Sequence, residues 1–336
     1  MQVAIQQVMA GGDLSAHEMG EVMRVIMRGE ATHAQTAGLL VALRMKGETV
    51  DEIAAAAAVM REFAAKIEIE KTHLLDTCGT GGDGKGLFNV STAVAVVVAA
   101  AGGRVAKHGN RSLSSKSGSA DVLEAAGVNI ALSPQRVEEC IAELGVGFLF
   151  APAHHQATRH AAVPRRELGV RTLFNLLGPL TNPADAPHQL LGVFDKRWLE
   201  PMARVLKQLG SRHVMVVHAD DGLDEVSIAS ATNVAELHED EVKLYTITPE
   251  QYGIKRGDIS SLVVDGPQQS LQVIRDVLAG RPGPARDIIL LNAGAALYTA
   301  DLAENIEGGI KLATHAIDTG FAAERLEQLT KFSNAE

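Results

Sequence analysis

Short apolar segments that alternate with helix-like stretches constrain the fold of this chain more than any other feature. They begin after Lys71, and the clearest of them are HLLDTC, GRVAKH, RHVMVVHA, EVKLYTI and DIILLNAG. Apolar runs of about four to eight residues that alternate with longer helical patterns are typical of strands in a parallel sheet that helices cover. The sequence therefore predicts an α/β fold with a mostly parallel central sheet flanked by helices, in which these segments are strands.

The first 70 residues predict helices instead. Three Ser/Thr-x-x-Glu/Gln pairs precede stretches in which apolar residues recur at helical spacing. In such a capping box, the hydroxyl and the Glu or Gln side chain satisfy backbone N–H groups that the first helical turn leaves free. The pairs are Ser15 with Glu18, Thr32 with Gln35, and Thr49 with Glu52. We therefore expect a small helical bundle at the amino terminus.

Composition and charge narrow the classes of function. The chain has 336 residues, of which 46% are hydrophobic, and a formal net charge of -10 at pH 7. An acidic chain lacks the basic surface that nucleic-acid phosphates require, so an anionic ligand would need a local basic site. The most apolar stretch, residues 90–103, is shorter than the roughly twenty residues of a membrane span, and the start has no signal-peptide pattern. We therefore expect a cytoplasmic protein that acts on neither nucleic acid nor membranes.

A glycine-rich loop follows the first apolar segment. In DTCGTGGDGKGLFNVST, residues 76–92, the glycines lead into a helix that is expected to begin at about Asn89. Glycine permits backbone conformations that bring N–H groups close to a ligand, and the amino terminus of a helix favours an anion. No Gly-Lys-Ser/Thr closes the loop, so it is not a P-loop. From this loop alone, a phosphate site and a plain tight turn both remain open.

A basic, hydroxyl-rich segment follows the second apolar segment. Residues 107–121, KHGNRSLSSKSGSAD, contain five basic or amide side chains that can donate hydrogen bonds to an anion, and five serines. Such a concentration in an acidic chain is what a multiply charged phosphate ligand requires, although a solvated polar loop is the alternative. The residues are Lys107, His108, Asn110, Arg111 and Lys116, with Ser112, Ser114, Ser115, Ser117 and Ser119.

An acidic segment, DDGLDEVS at 220–227, directly follows RHVMVVHA. Carboxylates at the carboxyl end of a strand lie where α/β folds bind ligands, and they suit Mg²⁺ bridged to phosphate oxygens. Asp224 and Glu225 are therefore the candidate metal ligands, with an acidic surface turn as the alternative. Oxygen ligands of this kind point to magnesium.

The segment HHQATRHAAVPRRELGVRTLFN, residues 154–175, is rich in arginine and histidine. Its histidines lack the H-E-x-x-H spacing and have no cysteine beside them, so we do not expect zinc there. A planar guanidinium suits a substrate carboxylate, and one arginine of the segment is expected to meet one. The arginines are Arg159, Arg165, Arg166 and Arg171.

Taken together, these stretches resemble the anthranilate phosphoribosyltransferases over nearly the whole chain. The resemblance is carried by DTCGTGGDG with FNVST, KHGNRSLSSKSGSADVLEAAG, VPRRELGVRTLFNLLGPLTNP and GLDEVS. It implies a helical domain over residues 1–70, with a contribution from about 165–185, and an α/β domain over 71–336 that binds phosphoribosyl pyrophosphate (PRPP). It also implies transfer of the phosphoribosyl group to anthranilate with Mg²⁺, as two ions, by a homodimer.

The resemblance also implies roles for particular residues. Lys107 and Glu225 are expected to be catalytic, and Ser91, Asp224 and Glu225 are expected to bind the metal. Gly79, Asn110 and Arg165 are expected to contact anthranilate. The positions expected on PRPP are Gly79, Gly82, Asp83, Leu87, Asn89, Val90, Ser91, Thr92, Lys107, His108, Gly109, Asn110, Arg111, Ser112, Leu113, Ser114, Ser115 and Ser119. The family commonly has Thr where this chain has Leu87, so a hydroxyl contact is lost there while a backbone contact remains open.

Two other functions compete with this interpretation. A pyrimidine nucleoside phosphorylase would share the two-domain architecture and a phosphate-binding glycine loop. It would not use pyrophosphate-bound magnesium, so the Asp224 and Glu225 pair favours the transferase. A non-catalytic, nucleic-acid-binding relative would need a basic groove, which the net charge of -10 disfavours.

Overall fold

The computed structural model describes residues 1–112 and 116–335. Within them, the strands are β1 (Leu74–Gly79), β2 (Arg104–Gly109), β3 (Val146–Phe150), β4 (His188–Gly192), β5 (His213–Ala219), β6 (Thr232–His238) and β7 (Glu241–Ile247). The α-helices are α1 (Gln2–Met9), α2 (Ala16–Met27), α3 (His33–Lys46), α4 (Val50–Glu62), α5 (Val90–Ala100), α6 (Ser119–Ala125), α7 (Pro134–Leu144), α8 (Ala151–His154), α9 (Arg159–Leu168), α10 (Phe174–Leu177), α11 (Leu199–Gln208), α12 (Pro267–Leu278), α13 (Pro284–Thr299), α14 (Ile306–Asp318) and α15 (Phe321–Asn334).

The helical prediction for the first 70 residues is confirmed, and each predicted capping box begins a helix. The backbone N–H groups of Glu18, Gln35 and Glu52 donate to the three cap hydroxyls at 3.2–3.3 Å. The apolar faces of these helices form a core in which Leu39 and Ile53 are completely buried. Apolar residues between 173 and 180 pack into the same core, as does one face of α11. The division of the chain near residue 70 stays a prediction.

The central sheet has the strand order β3-β2-β1-β4-β5-β6-β7. The pairings from β3 to β5 are parallel, whereas β6 and β7 pair antiparallel at one side. Helices α5 and α13 cover one face, and α11, on which α4 packs, covers the other. The predicted fold class, a helical part and a mostly parallel sheet flanked by helices, is confirmed. No described helix is both long enough and apolar enough to cross a bilayer.

One predicted strand is wrong, because DIILLNAG lies within α13. That helix is buried from Ile288 to Leu297, so its sequence lacks the polar face that marks a surface helix. A short apolar run cannot be assigned to a strand or a buried helix from periodicity alone. The available signal was Pro284, which is the first residue of the helix. The strands β3, β4 and β6 were not among the predicted segments.

The strand order reverses at β1, which pairs with β2 on one side and with β4 on the other. In open α/β sheets, such a reversal opens a crevice beyond the carboxyl ends of the strands, and ligands bind there. The glycine-rich loop leaves the carboxyl end of β1, and the acidic segment leaves the carboxyl end of β5. Both predicted motifs therefore lie at one edge of the sheet.

Candidate active site at the carboxyl edge of the sheet

The glycine-rich loop takes a backbone path that few other residues can follow. Gly81, Gly82, Gly84 and Gly86 have φ angles of 65°, 81°, 73° and 67°. Left-handed conformations of this kind cost glycine little, because it has no Cβ. The glycine content of the loop therefore follows from the course of its backbone beyond the end of β1.

The acidic loop and the glycine-rich loop are in direct contact. Oδ2 of Asp224 accepts a hydrogen bond from the N–H of Gly81 at 3.1 Å. A Cβ on Gly79 would lie 2.8 Å from the same oxygen, and a Cβ on Gly192 would overlap the carbonyl group of Asp224. Sequence reasoning missed Gly192, for which the only signal was a glycine at the end of an apolar strand. Glycine is therefore required on both sides of Asp224.

Lys107 is a buried cation within the site, with only 3% of its surface exposed. Its Nζ donates to the carbonyl oxygen of Thr77 at 2.5 Å and to Oγ of Ser91 at 3.2 Å. Burial lowers the pKa of the Lys107 amine. Asp76, Cys78 and Glu225 oppose this shift, and Asp76 has the largest effect of the three. This side chain therefore joins β1, β2 and the start of α5 beneath the ligand crevice.

Three carboxyl groups lie close together opposite Lys107. Burial and then Asp83 raise the pKa of Asp224 to about 7, and burial and then Asp224 raise the pKa of Glu225 to about 8. Burial also raises the pKa of Asp83. Carboxylates that raise one another's pKa in this way are stabilised in their charged form by a hard divalent cation. The donor set therefore fits magnesium.

The backbone that carries Glu225 is fixed from behind by Asn292, a completely buried residue of α13. Its Oδ1 accepts from the N–H of Val226 at 2.8 Å, and its Nδ2 donates to the carbonyl oxygen of Val226 at 2.8 Å. The same Nδ2 also donates to the carbonyl oxygen of Ile288 at 2.9 Å. Sequence reasoning missed Asn292, because it lay in the segment predicted as a strand.

Helix α5 begins at Val90 as predicted, but the Asn89 side chain does not cap it. Oδ1 of Asn89 instead accepts from the hydroxyls of Ser117 at 2.7 Å and Ser270 at 2.8 Å. The hydroxyl of Thr92, in the first turn, is buried and has no hydrogen-bond partner among the described residues. The Thr92 hydroxyl is therefore a donor that the first turn of α5 can offer to an anion, at the helix end where the dipole favours negative charge.

The basic segment after β2 is partly neutralised by its own acids. Arg111 forms ion pairs with Glu124 and, at 3.3 Å, with Asp121. Lys116 pairs with Asp265 at 2.5 Å. These pairs compete with a ligand for two of the cations that the sequence suggested. The predicted positions Leu113, Ser114 and Ser115 lie outside the described residues.

Asp121 and Asn110 organise the rest of this segment. The N–H groups of Ser112 and Gly118 both donate to Oδ2 of Asp121, at 3.0 and 2.9 Å. The hydroxyl of Ser119 donates to the carbonyl oxygen of Asn110 at 3.3 Å. A Cβ on Gly109 would collide with the Ser119 hydroxyl. The polar loop is therefore folded onto its own backbone at both of its described ends.

His108 follows Lys107 on β2, so its side chain points to the opposite face of the sheet. Its backbone N–H donates to Oδ1 of the buried Asp76 at 3.1 Å, and its ring lies edge-on to His155, with 5.1 Å between centroids. Burial lowers the pKa of His108 well below its ordinary value. The imidazole of His108 is therefore a neutral group on the far side of the sheet from Ser91.

Two of the four candidate arginines have distinct surroundings. The half-buried guanidinium of Arg165 lies 5.1 Å from the ring centroid of Phe174, and it forms no ion pair with any described acidic residue. Burial lowers its pKa. Arg171 donates to the carbonyl oxygen of Gly82 and lies 4.1 Å from the ring centroid of Phe194. Arg171 therefore ties its segment to the glycine-rich loop, a contact that the sequence did not single out.

Comparison with known proteins identifies the family of this fold and site. The model of the "Glycosyl transferase family, a/b domain" matches residues 71–323, and that of its helical bundle domain matches residues 2–64. The chain is 65% identical to the anthranilate phosphoribosyltransferase of Thioalkalivibrio sulfidiphilus, over 99% of this chain and 98% of that protein. It is 59% identical to that of Methylococcus capsulatus, over 98% and 96%. The chain belongs to the anthranilate phosphoribosyltransferase family.

Solved anthranilate phosphoribosyltransferase structures share this fold. The enzyme from Thermus thermophilus superposes with a TM-score of 0.94 at 46% identity, covering 99% of both chains. The Saccharomyces cerevisiae enzyme in complex with PRPP and Mg superposes with a TM-score of 0.90 at 26% identity, covering 99% of this chain and 97% of that one. The resemblance drawn from the sequence is thus confirmed.

Leu87 lies in a part of the glycine-rich loop that contacts the rest of the domain. Leu87 pairs with Val263 as an isolated bridge, and its side chain packs against the main core. The N–H of Phe88 donates to the carbonyl oxygen of Leu262 at 3.0 Å. The loop therefore keeps a defined course here, although this position offers no side-chain hydroxyl.

Proposed function

We propose that this chain transfers the 5-phosphoribosyl group of PRPP to the amino group of anthranilate, releasing pyrophosphate and giving N-(5-phosphoribosyl)anthranilate, a step of tryptophan biosynthesis. The observation that carries the proposal is the convergence of four features at one edge of the sheet. These are the glycine-rich loop, the first turn of α5, the buried Lys107, and the pair Asp224 and Glu225. The names of the relatives agree with it.

PRPP is proposed to bind between the glycine-rich loop and the basic segment. The glycine-rich backbone of the loop, the amino terminus of α5 and the buried Thr92 hydroxyl suit its phosphates, and Lys107 adds a positive charge beneath them. Arg111 would exchange its ion pairs with Glu124 and Asp121 for the ligand. The further proposed contacts are Gly79, Gly82, Asp83, Leu87, Asn89, Val90, Ser91, Thr92, His108, Gly109, Asn110, Ser112, Leu113, Ser114, Ser115 and Ser119.

Asp224, Glu225 and Ser91 are proposed to hold magnesium, as two ions. The clustered carboxyl groups with raised pKa values and the Ser91 hydroxyl are oxygen donors of the kind that Mg²⁺ prefers. When bound, magnesium neutralises charge on the pyrophosphate oxygens as the bond to the ribose breaks. Asn292 serves this site by fixing the backbone beside Glu225.

The residues of the chain act mainly through charge and position. The aromatic amine of anthranilate is already neutral at pH 7, so no strong base is required to activate it. Lys107 places a cation next to Ser91, where it stabilises charge that develops on the leaving group. Aligning two bound substrates lowers the barrier by roughly 7–11 kcal/mol. Catalysis therefore depends on bringing the two sides of the crevice together.

Anthranilate is proposed to lie between Gly79, Asn110 and Arg165. The half-buried guanidinium of Arg165 has no described acidic partner, and a substrate carboxylate would supply one. Arg171, in the same segment, contacts Gly82 of the PRPP loop. This hydrogen bond would join the proposed acceptor side to the proposed donor side of the site.

We also propose a cytoplasmic homodimer that forms through the helical part. Val3, Met9 and Met45 are 75%, 75% and 83% exposed, and they lie on α1 and α3, which pack against each other. Large exposed apolar side chains on adjacent helices are typical of a buried interface in an assembly. Light scattering would report a mass of two chains, and Met45→Glu would reduce it to one.

Anthranilate fluorescence tests the proposed activity. Purified protein with anthranilate, PRPP and Mg²⁺ should quench the fluorescence over time, whereas omission of PRPP or addition of EDTA should abolish the decay. A flat trace from folded protein in the complete mixture would contradict the proposal. Phosphorolysis of a pyrimidine nucleoside by the same sample would then identify the competing enzyme class.

A further inference from the structure

The opposite edge of the sheet carries a cluster of histidines and carboxylates that the proposed reaction does not use. His188 and His213 are the first residues of β4 and β5, and His238 ends the antiparallel β6. Asp301, just after α13, and Glu236 of β6 complete this amino-edge cluster. Ligand atoms of His188, His213 and Asp301 all lie within 4.8 Å of one another, as do those of His213, Glu236 and His238.

In the first group, the carboxylate of Asp301 lies near a ring nitrogen of each histidine. Nδ1 of His213 lies 2.7 Å from Oδ1 of Asp301, and Nδ1 of His188 lies 3.8 Å from Oδ2 of the same carboxylate. With metal–ligand bonds of about 2.0–2.1 Å, neighbouring ligand atoms of a tetrahedral site are about 3.3 Å apart. The two contacts use different oxygens of Asp301, so the half-exposed carboxylate would have to turn to place one oxygen near both histidines.

His188 supplies an independent indication that a ligand belongs here. Only 5% of the residue is exposed, and Nδ1 is buried with no hydrogen-bond partner among the described residues. Leaving a buried nitrogen unpaired costs free energy, and structures seldom retain such a group without a reason. This nitrogen faces the carboxylate of Asp301, which also contacts His213. A cation between them would satisfy all three groups.

The other carboxylate of the cluster holds His213 in place. Nε2 of His213 lies 3.0 Å from Oε1 of Glu236, whose carboxylate also lies close to Tyr245 and Tyr298. A histidine ligand whose second ring nitrogen meets a carboxylate has a fixed orientation and a more basic donor atom. Glu236 therefore gives His213 the support that metal-binding histidines usually have.

We propose that His188, His213 and Asp301 bind a Zn²⁺-class transition-metal ion, at a site separate from the magnesium site on the opposite edge. Two imidazole nitrogens and one carboxylate suit zinc or cobalt, whereas magnesium prefers oxygen alone. The Asp301 side chain is 51% exposed, so the fourth position opens to water. Binding would displace the proton on Nδ1 of His213 and tie β4 and β5 to the end of α13.

Cobalt titration in excess Mg²⁺ tests this site, because magnesium occupies the oxygen-only ligands and tetrahedral Co²⁺ has strong visible absorption. Untagged, chelator-treated full-length protein should bind one Co²⁺ with this spectrum, and Zn²⁺ should displace it. Asp301→Asn and His188→Phe should each weaken binding at least tenfold. Zn²⁺ should also raise the Tm of the unsubstituted protein in Mg²⁺, and raise that of D301N less.

Matched variants separate this site from nonspecific binding. Asp240→Asn changes an exposed aspartate that shares the left-handed backbone of Asp301, with φ of 65° against 56°. Asp240→Asn, His17→Phe and the active-site change Asp224→Asn should leave the cobalt spectrum unchanged. D301N should also keep its turnover of anthranilate, which shows that it folds. The proposal is wrong if no tetrahedral spectrum appears, or if D301N binds cobalt as tightly as the unsubstituted protein, in which case a protonated His213 simply bridges two carboxylates.

Discussion

The N–H of Gly81 donates a 3.1 Å hydrogen bond to Oδ2 of Asp224, joining two loops that are 143 residues apart in the chain. One loop is proposed to hold phosphate and the other to hold magnesium. A ligand that orders either loop therefore orders the other. This contact would let the two loops act as one site.

Glu225→Ala should lower kcat by about 10²–10³-fold, as expected when a group that stabilises transition-state charge is removed. The KM for anthranilate should change little, because Glu225 lies on the donor side of the site. Steady-state kinetics at several Mg²⁺ concentrations measure both constants. Glu143→Ala, at an exposed position of α7, is the control. Equal losses in kcat and in anthranilate affinity would mean that Glu225 has a structural role.

Arg165→Ala should raise the KM for anthranilate roughly tenfold or more, since a charged hydrogen bond is worth about 1.5–3 kcal/mol. Its effect on the KM for PRPP should be small. Arg166→Ala is a closely matched control, because Arg166 is adjacent but exposed. If both variants behave alike, Arg165 does not bind the acceptor.

Gly192→Ala should destabilise the protein by about 1–3 kcal/mol, the usual cost of overpacking, and should abolish most activity. The added methyl group would overlap the carbonyl group of Asp224 and displace the acidic loop. Gly38→Ala is the control, since Gly38 lies within α3 with open space around its Cα. That change should stabilise the protein by about 0.5–1 kcal/mol. Urea unfolding measures the free energy of unfolding of both variants. An unchanged value for G192A would contradict the close packing at this position.

Asn292→Leu should lower both stability and magnesium affinity. It leaves the N–H and carbonyl groups of Val226 unpaired in the interior, at about 1–3 kcal/mol for each buried group. Asn292→Asp keeps an acceptor for the Val226 N–H but lacks the donor that the carbonyl groups of Val226 and Ile288 require, so it should also destabilise the protein. The measurements are urea unfolding and the Mg²⁺ concentration for half-maximal rate. An unchanged magnesium requirement in a destabilised N292L would limit Asn292 to a role in folding.

Without metal, the protein should lose stability as the pH rises from about 5 to about 8. The pKa values of Asp224 and Glu225 are raised by burial to about 7 and about 8, so the folded state holds protons that the unfolded state has already released. Their stabilising contribution is complete below the ordinary carboxyl pKa and is lost as the pH passes the folded values. Thermal unfolding in EDTA should show this slope, and a double D224N/E225Q variant should flatten it. An equal slope in both proteins would contradict the assignment.

The sequence predicted local features of the fold better than long-range ones. The hydrogen bonds of a capping box, such as that of Thr49 and Glu52, lie within one helical turn. The starts of the helices in the bundle could therefore be predicted from the sequence. The glycine-rich loop was recognisable because its backbone demands glycine. Helix α13 was mistaken for a strand, since a helix that is buried on all sides has no polar face to reveal its period.

Residues of the candidate site could be predicted where a charged side chain lay within a recognisable motif, as with Lys107, Asp224 and Glu225. Others were missed where they act through distant contacts. Glycine is required at 192 because Asp224 occupies the space that a Cβ would take. Asn292 supports the site because the backbone of Val226 lies beside it. Neither partner is near in sequence, so no local pattern could have revealed them.

The uncapped start of α5 sets stability against activity. Asn89 stands at the cap position of α5 but accepts hydrogen bonds from Ser117 and Ser270, so its side chain does not satisfy the donors of the first turn. Selection for heat resistance alone would favour a side chain that fills this turn. Such a change would compete with phosphate, so thermostabilising programmes for this scaffold should leave residues 89–92 untouched.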